Sequence, residues 1–359
     1  MIKNNKIGVL TLPYDANYGW ILQHYALCKT IELADYEPIS ITRKWNSIEN
    51  PGVFFKIKKW AFYNIFSKNI FNFYKDEIGK KTIVVDSHDK AIQLKNQNFK
   101  TVVVGSDQVW RTEYTIPLAG YNFFFDFLNS KYTKKISYAA SLGTDTWSEN
   151  SKSSKIISNL LKDFHKVSVR EKSSVKVLKD ILGIDANHNL DPTLLLDKKD
   201  YLSLIKSTNK LFKEKTIGTY ILDYDENKSS IINYVKKTLD FNVYDIYPKN
   251  KNILHYYIKV TKWLQVFRDS DFIITDSFHG TVFAIIFNKN FITISNKQRG
   301  LARFLSLLEM FNLSSRIVDP IAKTEDLESI LKNKIDFKKI NEILATERNE
   351  SLSFLKDNL

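Results

Sequence analysis

Short apolar runs alternate with amphipathic stretches along most of the chain. In the first half, runs such as residues 7–11 and 100–104 are rich in β-branched side chains and end at polar turns, as buried strands do. Residues 216–222 begin the same alternation in the second half. Strands that alternate with helices predict parallel sheets with helices on their faces. We therefore expect an α/β fold of two Rossmann-like parallel-sheet domains that face each other across a cleft.

The composition changes between the two halves at residues 206–214, which are polar and basic. This stretch predicts a domain boundary, with an N-terminal domain over residues 1–205 and a C-terminal domain over residues 206–335. Residues 336–359 carry apolar side chains at roughly helical spacing, so we expect a closing amphipathic helix there.

Residues 271–288, with the sequence DFIITDSFHGTVFAIIFN, combine an apolar run, a polar turn and a short stretch that is apolar on every side. This pattern predicts a buried strand that turns sharply into a buried helix. The free N–H groups and the positive dipole end of such a helix can bind an anion. His279 lies in the turn, where it is suited to proton transfer near neutral pH. The alternative is a helix cap in which the histidine only packs.

The balance of charges favours an anionic partner. The chain has 359 residues, with 53 basic and 40 acidic side chains and a net charge of +13. A phosphorylated small molecule or an anionic membrane fits this charge, whereas nucleic acid is disfavoured because the lysines are scattered and no nucleic-acid motif is present. A single cysteine, Cys28, indicates a reducing compartment, and no apolar run approaches the ~18 residues of a membrane-spanning helix. We therefore expect a cytoplasmic protein.

Residues 45–75 form an unusual insertion in which aromatic side chains and lysines are interleaved. Such a mixture suits a membrane interface, where rings lie at the depth of the headgroups and lysines meet anionic lipid. Peripheral contact with the inner face of the membrane is one expectation. The alternative is a helical insertion that packs its aromatic side chains inward and leaves its lysines in solvent.

Six short motifs follow one another between residues 16 and 280. They are ANYG at 16–19, VGSDQVW at 104–110, YAASLG at 138–143, SVRE at 168–171, DPT at 191–193 and TDSFHG at 275–280. Each is weak alone, but together and in this order they resemble the polysaccharide pyruvyl transferase family. The resemblance implies a two-domain fold like that of the GT-B glycosyltransferases. It also implies transfer of pyruvate from phosphoenolpyruvate, as a ketal, onto a sugar of a cell-surface polysaccharide or its lipid-linked precursor, with no metal or cofactor.

In this family, the arginine of the SVRE motif and the histidine of the TDSFHG motif form the expected active-site pair, which matches Arg170 and His279. Phosphoenolpyruvate carries a carboxylate and a phosphate, for which a guanidinium and a helix N-terminus are suitable partners. Ketal formation needs a proton donor, a base and charge stabilisation for the departing phosphate. Arg170 would hold an anionic oxygen, or it pairs with a neighbouring acid. Asp107 would accept a sugar hydroxyl, or it caps the following helix.

The remaining site residues are assigned by the same resemblance. Some branches of the family carry Arg-Leu-His where this chain has Ser277-Phe278-His279, so another cation is needed near the donor. The residues expected to contact the donor are Ser277, Gly280, Lys297 and Arg299. The residues expected to contact the acceptor are Asn17, Tyr18, Ser106 and Gln108.

A GT-B-type glycosyltransferase that uses a nucleotide-sugar donor would share this fold and is the main alternative. Asp223-Tyr224-Asp225 superficially resembles the metal-binding Asp-x-Asp motif of another glycosyltransferase fold. We interpret it as a turn, because it follows a strand, precedes a helix and has no second acidic cluster nearby. A non-catalytic membrane-surface protein would need only the insertion at residues 45–75. A hydrolase is disfavoured because no Gly-x-Ser-x-Gly motif is present.

Overall fold

The computed structural model describes residues 4–45, 60–247, 257–296 and 299–359. They form two compact units. The first unit contains the described residues of 4–45, 74–195 and 346–359, and the second contains those of 60–73 and 196–345. The expectation that two domains face each other across a cleft stays a prediction.

The chain passes from the first unit to the second between Leu195 and Leu196, ahead of the stretch 206–214 that the composition change favours. The helix before that stretch explains the difference. Helix α7 (Lys198–Leu204) places Tyr201 edge-on against Phe283 of the second unit, with ring centroids 4.9 Å apart. A polar surface segment within one unit therefore resembles a linker in sequence.

The first unit is built on a five-stranded parallel sheet. Its strands are β1 (Lys6–Leu10), β2 (Glu37–Ser40), β3 (Lys80–Lys81), β4 (Thr101–Val104) and β5 (Lys134–Ser137). They lie in the order β3-β2-β1-β4-β5, so the direction of the connections reverses between β1 and β4. In an open α/β sheet, ligands bind at the carboxyl ends of the strands at such a switch point.

A short parallel pair lies beside β5. It consists of β6 (Ser168–Val169) and β7 (Asn187–His188), and bridges from Ile136 to Lys166 and from Ala140 to Val169 connect it to β5 and the turn after β5. The polar turns that follow β4, β5, β6 and β7 therefore come to one edge of the first unit.

Helices cover this sheet and its extension. They are α1 (Tyr18–Leu33), the last residues of α2 (Lys68–Glu77), α3 (His88–Ile92), α4 (Thr112–Ala119), α5 (Ser151–Lys162) and α6 (Lys172–Val177). Helix α1 is buried along nearly its whole length, and Cys28 lies in the core. Among the described residues, no helix combines the length and the apolarity needed to cross a bilayer.

The second unit repeats the design with a different strand order. Its strands are β8 (Thr216–Tyr220), β9 (Asn242–Asp245), β10 (Phe272–Thr275), β11 (Asn290–Ile294) and β12 (Ile317–Val318), in the order β12-β11-β10-β8-β9. All neighbouring pairs are parallel. The switch point lies between β8 and β10. The described helices after α7 are α8 (Glu226–Leu239), α9 (Val260–Asp269), α10 (Phe278–Ile286), α11 (Leu301–Met310), α12 (Thr324–Lys332) and α13 (Phe337–Asn358).

Helix α13 is the closing helix that the tail pattern predicts. Its last residues belong to the first unit. Thr101 of β4 donates a hydrogen bond of 2.9 Å to the carbonyl of Leu359, and the hydroxyl of Ser351 accepts one of 3.0 Å from the backbone N–H of Leu190. The chain end is thus attached to β4 and to the segment after β7, which lead into two of the family motifs.

Candidate active site

Arg170 leaves the carboxyl end of β6 and is surrounded by carboxylates of the first unit. Its guanidinium lies 2.7 Å from Asp191, 3.3 Å from Glu171 and 3.5 Å from Asp107, measured between nitrogen and oxygen atoms. The Arg170 side chain is only 2% exposed. Burial alone would lower the pKa of Arg170, but Asp191, Glu171 and Asp107 together raise it above its ordinary value. The guanidinium therefore stays charged inside the protein.

Two of these carboxylates have further partners that hold them in place. Glu171 accepts hydrogen bonds from the hydroxyls of Ser141 at 2.6 Å and Ser174 at 3.2 Å. Asp191 accepts from the backbone N–H of Thr193 at 3.0 Å and from its hydroxyl at 2.7 Å. A buried charge is tolerated only when such bonds replace the lost water. The YAASLG, SVRE and DPT motifs therefore form one polar network.

The sequence left two roles open for Arg170, which were to hold an anionic oxygen of the donor or to pair with a neighbouring acid. The structure shows the pairing with neighbouring acids. The guanidinium of Arg170 faces three carboxylates of its own unit, so this residue orders the turns around it. Holding a donor anion stays a prediction for Arg170. Asp107, which adopts a left-handed backbone with φ of 65°, retains 14% exposure of its side chain at the rim of this cluster.

The GSDQ turn after β4 is fixed at the switch point of the first sheet. Ser106 is fully buried, and its hydroxyl donates 2.7 Å to the carbonyl of Ala139. Its backbone N–H donates a hydrogen bond of 3.1 Å to the side chain of Gln23. The amide of Gln23 in turn donates a hydrogen bond of 2.9 Å to the hydroxyl of Thr11 after β1. This chain of bonds connects β1, α1 and β4. Ser106 is thus a structural residue in this arrangement, and its assignment to the acceptor stays a prediction.

The other residues assigned to the acceptor differ in exposure. Asn17 is the N-cap of α1 and accepts from the N–H groups of Gly19 at 2.8 Å and Trp20 at 3.1 Å. Tyr18 is fully buried. Gln108 is partly exposed, and its side-chain oxygen accepts a hydrogen bond of 3.0 Å from the guanidinium of Arg111. Of the motif side chains in the first unit, Gln108 and Asp107 are thus better placed than Tyr18 and Ser106 to meet a ligand.

In the second unit, the turn after β10 delivers His279 to the carboxyl edge of the sheet. Ser277 is the N-cap of α10, and His279 is the second residue of that helix. The ring of His279 lies 5.2 Å from that of Phe278, between centroids, and the residue is 6% exposed. The strand–turn–helix arrangement is the one that the apolar pattern of residues 271–288 predicts.

Gly280 is required where α10 approaches β10. A Cβ atom at this position would lie 2.9 Å from the Cβ and 2.2 Å from the Oγ1 of Thr275. The side chain of Thr275 cannot rotate away freely, because its hydroxyl makes two hydrogen bonds. It donates one of 2.7 Å to the carbonyl of Tyr220 and accepts one of 3.1 Å from the backbone N–H of Ser277. The glycine therefore has a packing role that sets the position of the turn. Donor contact by Ser277 and Gly280 stays a prediction.

Asp276 organises this edge of the second unit, and the sequence analysis missed it. Its fully buried carboxylate accepts from the N–H groups of Leu222 at 2.6 Å and Asp223 at 3.1 Å, and from the ammonium of Lys228 at 2.8 Å. Asp276 thereby joins the turn after β8 to the turn after β10 at the switch point. An aspartate directly after an apolar strand and before a capping serine is the local signal that could have indicated this role.

The cations expected near the donor have different positions. Lys297 lies outside the described residues. Arg299 pairs with Asp223, with 3.0 Å between Nη2 and Oδ1, and this hydrogen bond raises the pKa of Arg299. Arg303 was not anticipated. It is buried, and its guanidinium carbon lies 5.5 Å from the ring centroid of Phe278, which precedes His279. Arg303 is thus a further cation beside the His279 turn.

Asp223-Tyr224-Asp225 is a turn between β8 and α8, as interpreted from the sequence. Asp225 caps α8 by accepting 2.8 Å from the N–H of Lys228. Within residues 4–45, 60–247, 257–296 and 299–359, no group of three His, Cys, Asp or Glu side chains could hold a metal ion. The expectation that the reaction needs no metal or cofactor stays a prediction.

Comparison with solved structures defines the class of fold. UDP-N-acetylglucosamine 2-epimerase from Rickettsia bellii is 10% identical, with a TM-score of 0.55 over 98% of this chain and 97% of that one. The Neisseria meningitidis enzyme bound to UDP-GlcNAc is 10% identical, with a TM-score of 0.53 over 98% of each chain. S. aureus MnaA with UDP is 13% identical, with a TM-score of 0.51 over 95% of this chain and 90% of that one. The chain therefore has the two-domain α/β architecture of the GT-B class.

The family follows from the sequence match. A model of the polysaccharide pyruvyl transferase family matches residues 17–298, and the chain belongs to this family. No curated protein matches the chain significantly. The resemblance drawn from the six motifs is confirmed, and the chain is a transferase of polysaccharide biosynthesis.

The carboxylate cluster predicts a large stability cost when Arg170 is lost. Arg170→Met would leave the buried carboxylates of Glu171 and Asp191, and that of Asp107 at the rim, without their cation. Removing one partner of a buried ion pair costs about 3–5 kcal/mol. The stability of Arg170→Lys should lie between those of the wild type and Arg170→Met, because one ammonium cannot meet three carboxylates as a guanidinium does. Urea unfolding measures the loss.

Lys179→Met is the matched control in the same unit. Lys179 pairs with Asp185 at 2.6 Å, but the two side chains are 58% and 86% exposed. A surface pair of this kind contributes only about 0–1 kcal/mol. Arg170→Met with wild-type stability would show that the cluster does not hold the first unit together. A stable Arg170→Lys that binds phosphoenolpyruvate weakly would instead support the predicted role of Arg170 in holding an anionic oxygen of the donor.

Proposed function

We propose that this transferase moves pyruvate from phosphoenolpyruvate onto a saccharide of a cell-surface polysaccharide, or onto its lipid-linked precursor, and forms a pyruvate ketal. The family match across residues 17–298 carries the proposal. His279 supports it, because this residue opens a helix at the carboxyl edge of the second sheet. That edge is the usual place for a ligand in an open α/β sheet.

The reaction sets clear demands on the site. One sugar hydroxyl adds to C2 of phosphoenolpyruvate while the methylene carbon takes a proton and becomes a methyl group. A second hydroxyl then displaces the phosphate from C2 by breaking the C–O bond. The two hydroxyl protons are balanced by one proton on the methyl group and one on the departing phosphate. The site must therefore move protons and stabilise phosphate, and it needs no redox partner.

We assign the proton transfer to His279. A histidine is suited to this role near neutral pH. The N–H groups at the start of α10 supply positive potential for the phosphate, and the guanidinium of Arg303, which lies 5.5 Å from the ring centroid of Phe278, adds to it. Arg299 is a further candidate, although Asp223 already pairs with it.

The competing function is glycosyl transfer from a nucleotide sugar. The names of the similar structures mention UDP and UDP-GlcNAc. At sequence identities of 10–13%, however, the similarity shows only that the fold is shared. The donor separates the two functions. Incubation with phosphoenolpyruvate or with a panel of nucleotide sugars, each with lipid-linked saccharides, should release phosphate from phosphoenolpyruvate and no nucleoside diphosphate from the nucleotide sugars.

We expect His279→Ala to lower the turnover of phosphoenolpyruvate by roughly 100- to 10,000-fold, as is typical when a proton-transfer group is removed. The melting temperature should change little, because the backbone bonds of the turn remain. Steady-state phosphate release with both substrates varied, together with thermal melting, measures both effects.

His165→Ala is the matched control, since His165 is exposed on the first unit. It should retain wild-type turnover. A folded His279→Ala protein with near-normal turnover would remove His279 from the mechanism. The proton-transfer role would then pass to Asp107.

We also propose that the enzyme meets its acceptor at an anionic membrane on the cytoplasmic side. Part of the insertion supports this. Trp60 is 60%, Ile65 40% and Phe71 39% exposed, and Lys68 is exposed among them. The same insertion buries Ile70, so it packs some apolar side chains inward and presents others. Residues 46–59 of the insertion lie outside the described residues.

Liposome sedimentation tests this contact. Anionic vesicles should bind the enzyme better than neutral ones, and binding should weaken as salt rises. A Trp60→Ala/Phe71→Ala variant should bind less well, whereas Tyr132→Ala, which removes a 78% exposed ring from the first unit, should not. Equal binding to neutral and anionic vesicles would contradict the proposal.

A further inference from the structure

The two ends of the Gln108 side chain are in different situations at the carboxyl edge of the first sheet. Gln108 lies in the turn after β4, beside the switch point where an open α/β sheet binds its ligands. Its side-chain oxygen accepts a hydrogen bond of 3.0 Å from Nη1 of Arg111. Its amide nitrogen makes no hydrogen bond to any residue that the structure describes. Because Gln108 is partly exposed, this nitrogen is the end that is left for a ligand.

The pairing with Arg111 decides which way the amide of Gln108 points. An amide side chain has one accepting end and one donating end, whereas a guanidinium only donates. Turning the amide over would therefore place two donors against each other. Arg111 is itself held in place, because its guanidinium carbon lies 4.0 Å from the ring centroid of Tyr114 and its Nε lies 3.7 Å from a carboxylate oxygen of Glu113. Gln108 thus presents N–H donors to a ligand at this edge.

Gly143 of the YAASLG motif leaves the room that this pair occupies. A Cβ atom on Gly143 would lie 2.5 Å from the side-chain oxygen of Gln108 and 3.0 Å from Cδ of Arg111. The position of Gly143 is fixed in turn, because its N–H donates a hydrogen bond of 3.0 Å to the hydroxyl of Ser141, which donates one of 2.6 Å to Glu171. The orientation of Gln108 is therefore set by the same network that surrounds Arg170.

We propose that Gln108 binds the saccharide acceptor as a hydrogen-bond donor, and that Arg111 and Gly143 are positioning residues that hold its amide in this orientation. The inference rests on the proposed function for the identity of the saccharide as the acceptor. It adds a direction to the contact, since the saccharide group that meets Gln108 has to accept a hydrogen bond. A ring oxygen, an acetamido carbonyl, a carboxylate and the lone pair of a hydroxyl all meet this condition.

Gln108→Glu separates the donating role from a structural one. The new carboxylate still accepts from Arg111 and strengthens that bond through its charge, so the melting temperature should not fall. An ionised carboxylate has no N–H to offer a saccharide. The affinity for methyl hexopyranosides, measured by saturation-transfer NMR, should therefore weaken by roughly 2- to 10-fold, the range expected for the loss of one hydrogen bond.

Arg111→Leu and Arg111→Lys test the positioning role. The leucine removes the donor that orients the amide of Gln108, so saccharide affinity should weaken by a similar factor. The lysine restores a group that only donates, so part of the affinity should return. A folded Arg111→Leu protein with a lower melting temperature and wild-type saccharide affinity would contradict the positioning role.

Gln93→Glu is the matched control, because it makes the same change at an exposed glutamine of the first unit. It should leave both the saccharide affinity and the melting temperature unchanged. If the wild-type protein binds none of the methyl hexopyranosides, or if Gln108→Glu binds them as tightly as the wild type does, the inference is overturned.

Phosphate release separates this inference from the proposed function. With the inference correct, Gln108→Glu raises the KM for the lipid-linked saccharide and leaves the KM for phosphoenolpyruvate unchanged. Saccharide binding that depends on Gln108, in a protein that releases no phosphate from phosphoenolpyruvate, would support the inference and contradict the donor. Normal phosphate release, with a saccharide KM that is insensitive to Gln108 and Arg111, would support the donor and contradict the inference.

Discussion

The buried ion pairs of Arg170 are the constraint on which the first unit depends. Each of its three carboxylates comes from a different turn: Asp107 follows β4, Glu171 follows β6 and Asp191 follows β7. A buried carboxylate needs a counter-charge and hydrogen bonds, so none of these turns can move without exposing another to an unfavourable environment. One guanidinium therefore positions the polar edge that the family motifs form.

The second unit meets the same requirement with the signs reversed. There a buried carboxylate, Asp276, lies at the centre and Lys228 supplies the charge. The N–H groups of the turn after β8 complete the set, so β8 and β10 are joined where the connections of the sheet reverse. This arrangement fixes the start of α10, and His279 with it. In the second unit the buried charge lies at the switch point, whereas in the first unit Arg170 follows β6 and reaches the turn after β4 through Asp107.

The sequence predicted what depends on local patterns and failed where distant residues meet. The alternation of strands and helices and the turn at His279 follow from the spacing of apolar residues, which is a local property. Lys228 and Asp276 are 48 positions apart, and Arg170 and Asp191 are 21 apart, so no window along the chain shows that they pair. The burial of Ser106 could not be predicted either, because its partners Gln23 and Ala139 come from other elements.

The central claim is that pyruvate is transferred with cleavage of the C–O bond of phosphoenolpyruvate. The most direct test is a reaction in D₂O with phosphoenolpyruvate labelled with ¹⁸O at the bridging oxygen. The account predicts a saccharide-bound pyruvate whose methyl group carries solvent deuterium, and a phosphate that retains the label. Loss of the label from phosphate, with free pyruvate and an unmodified saccharide, would show P–O cleavage and contradict the account.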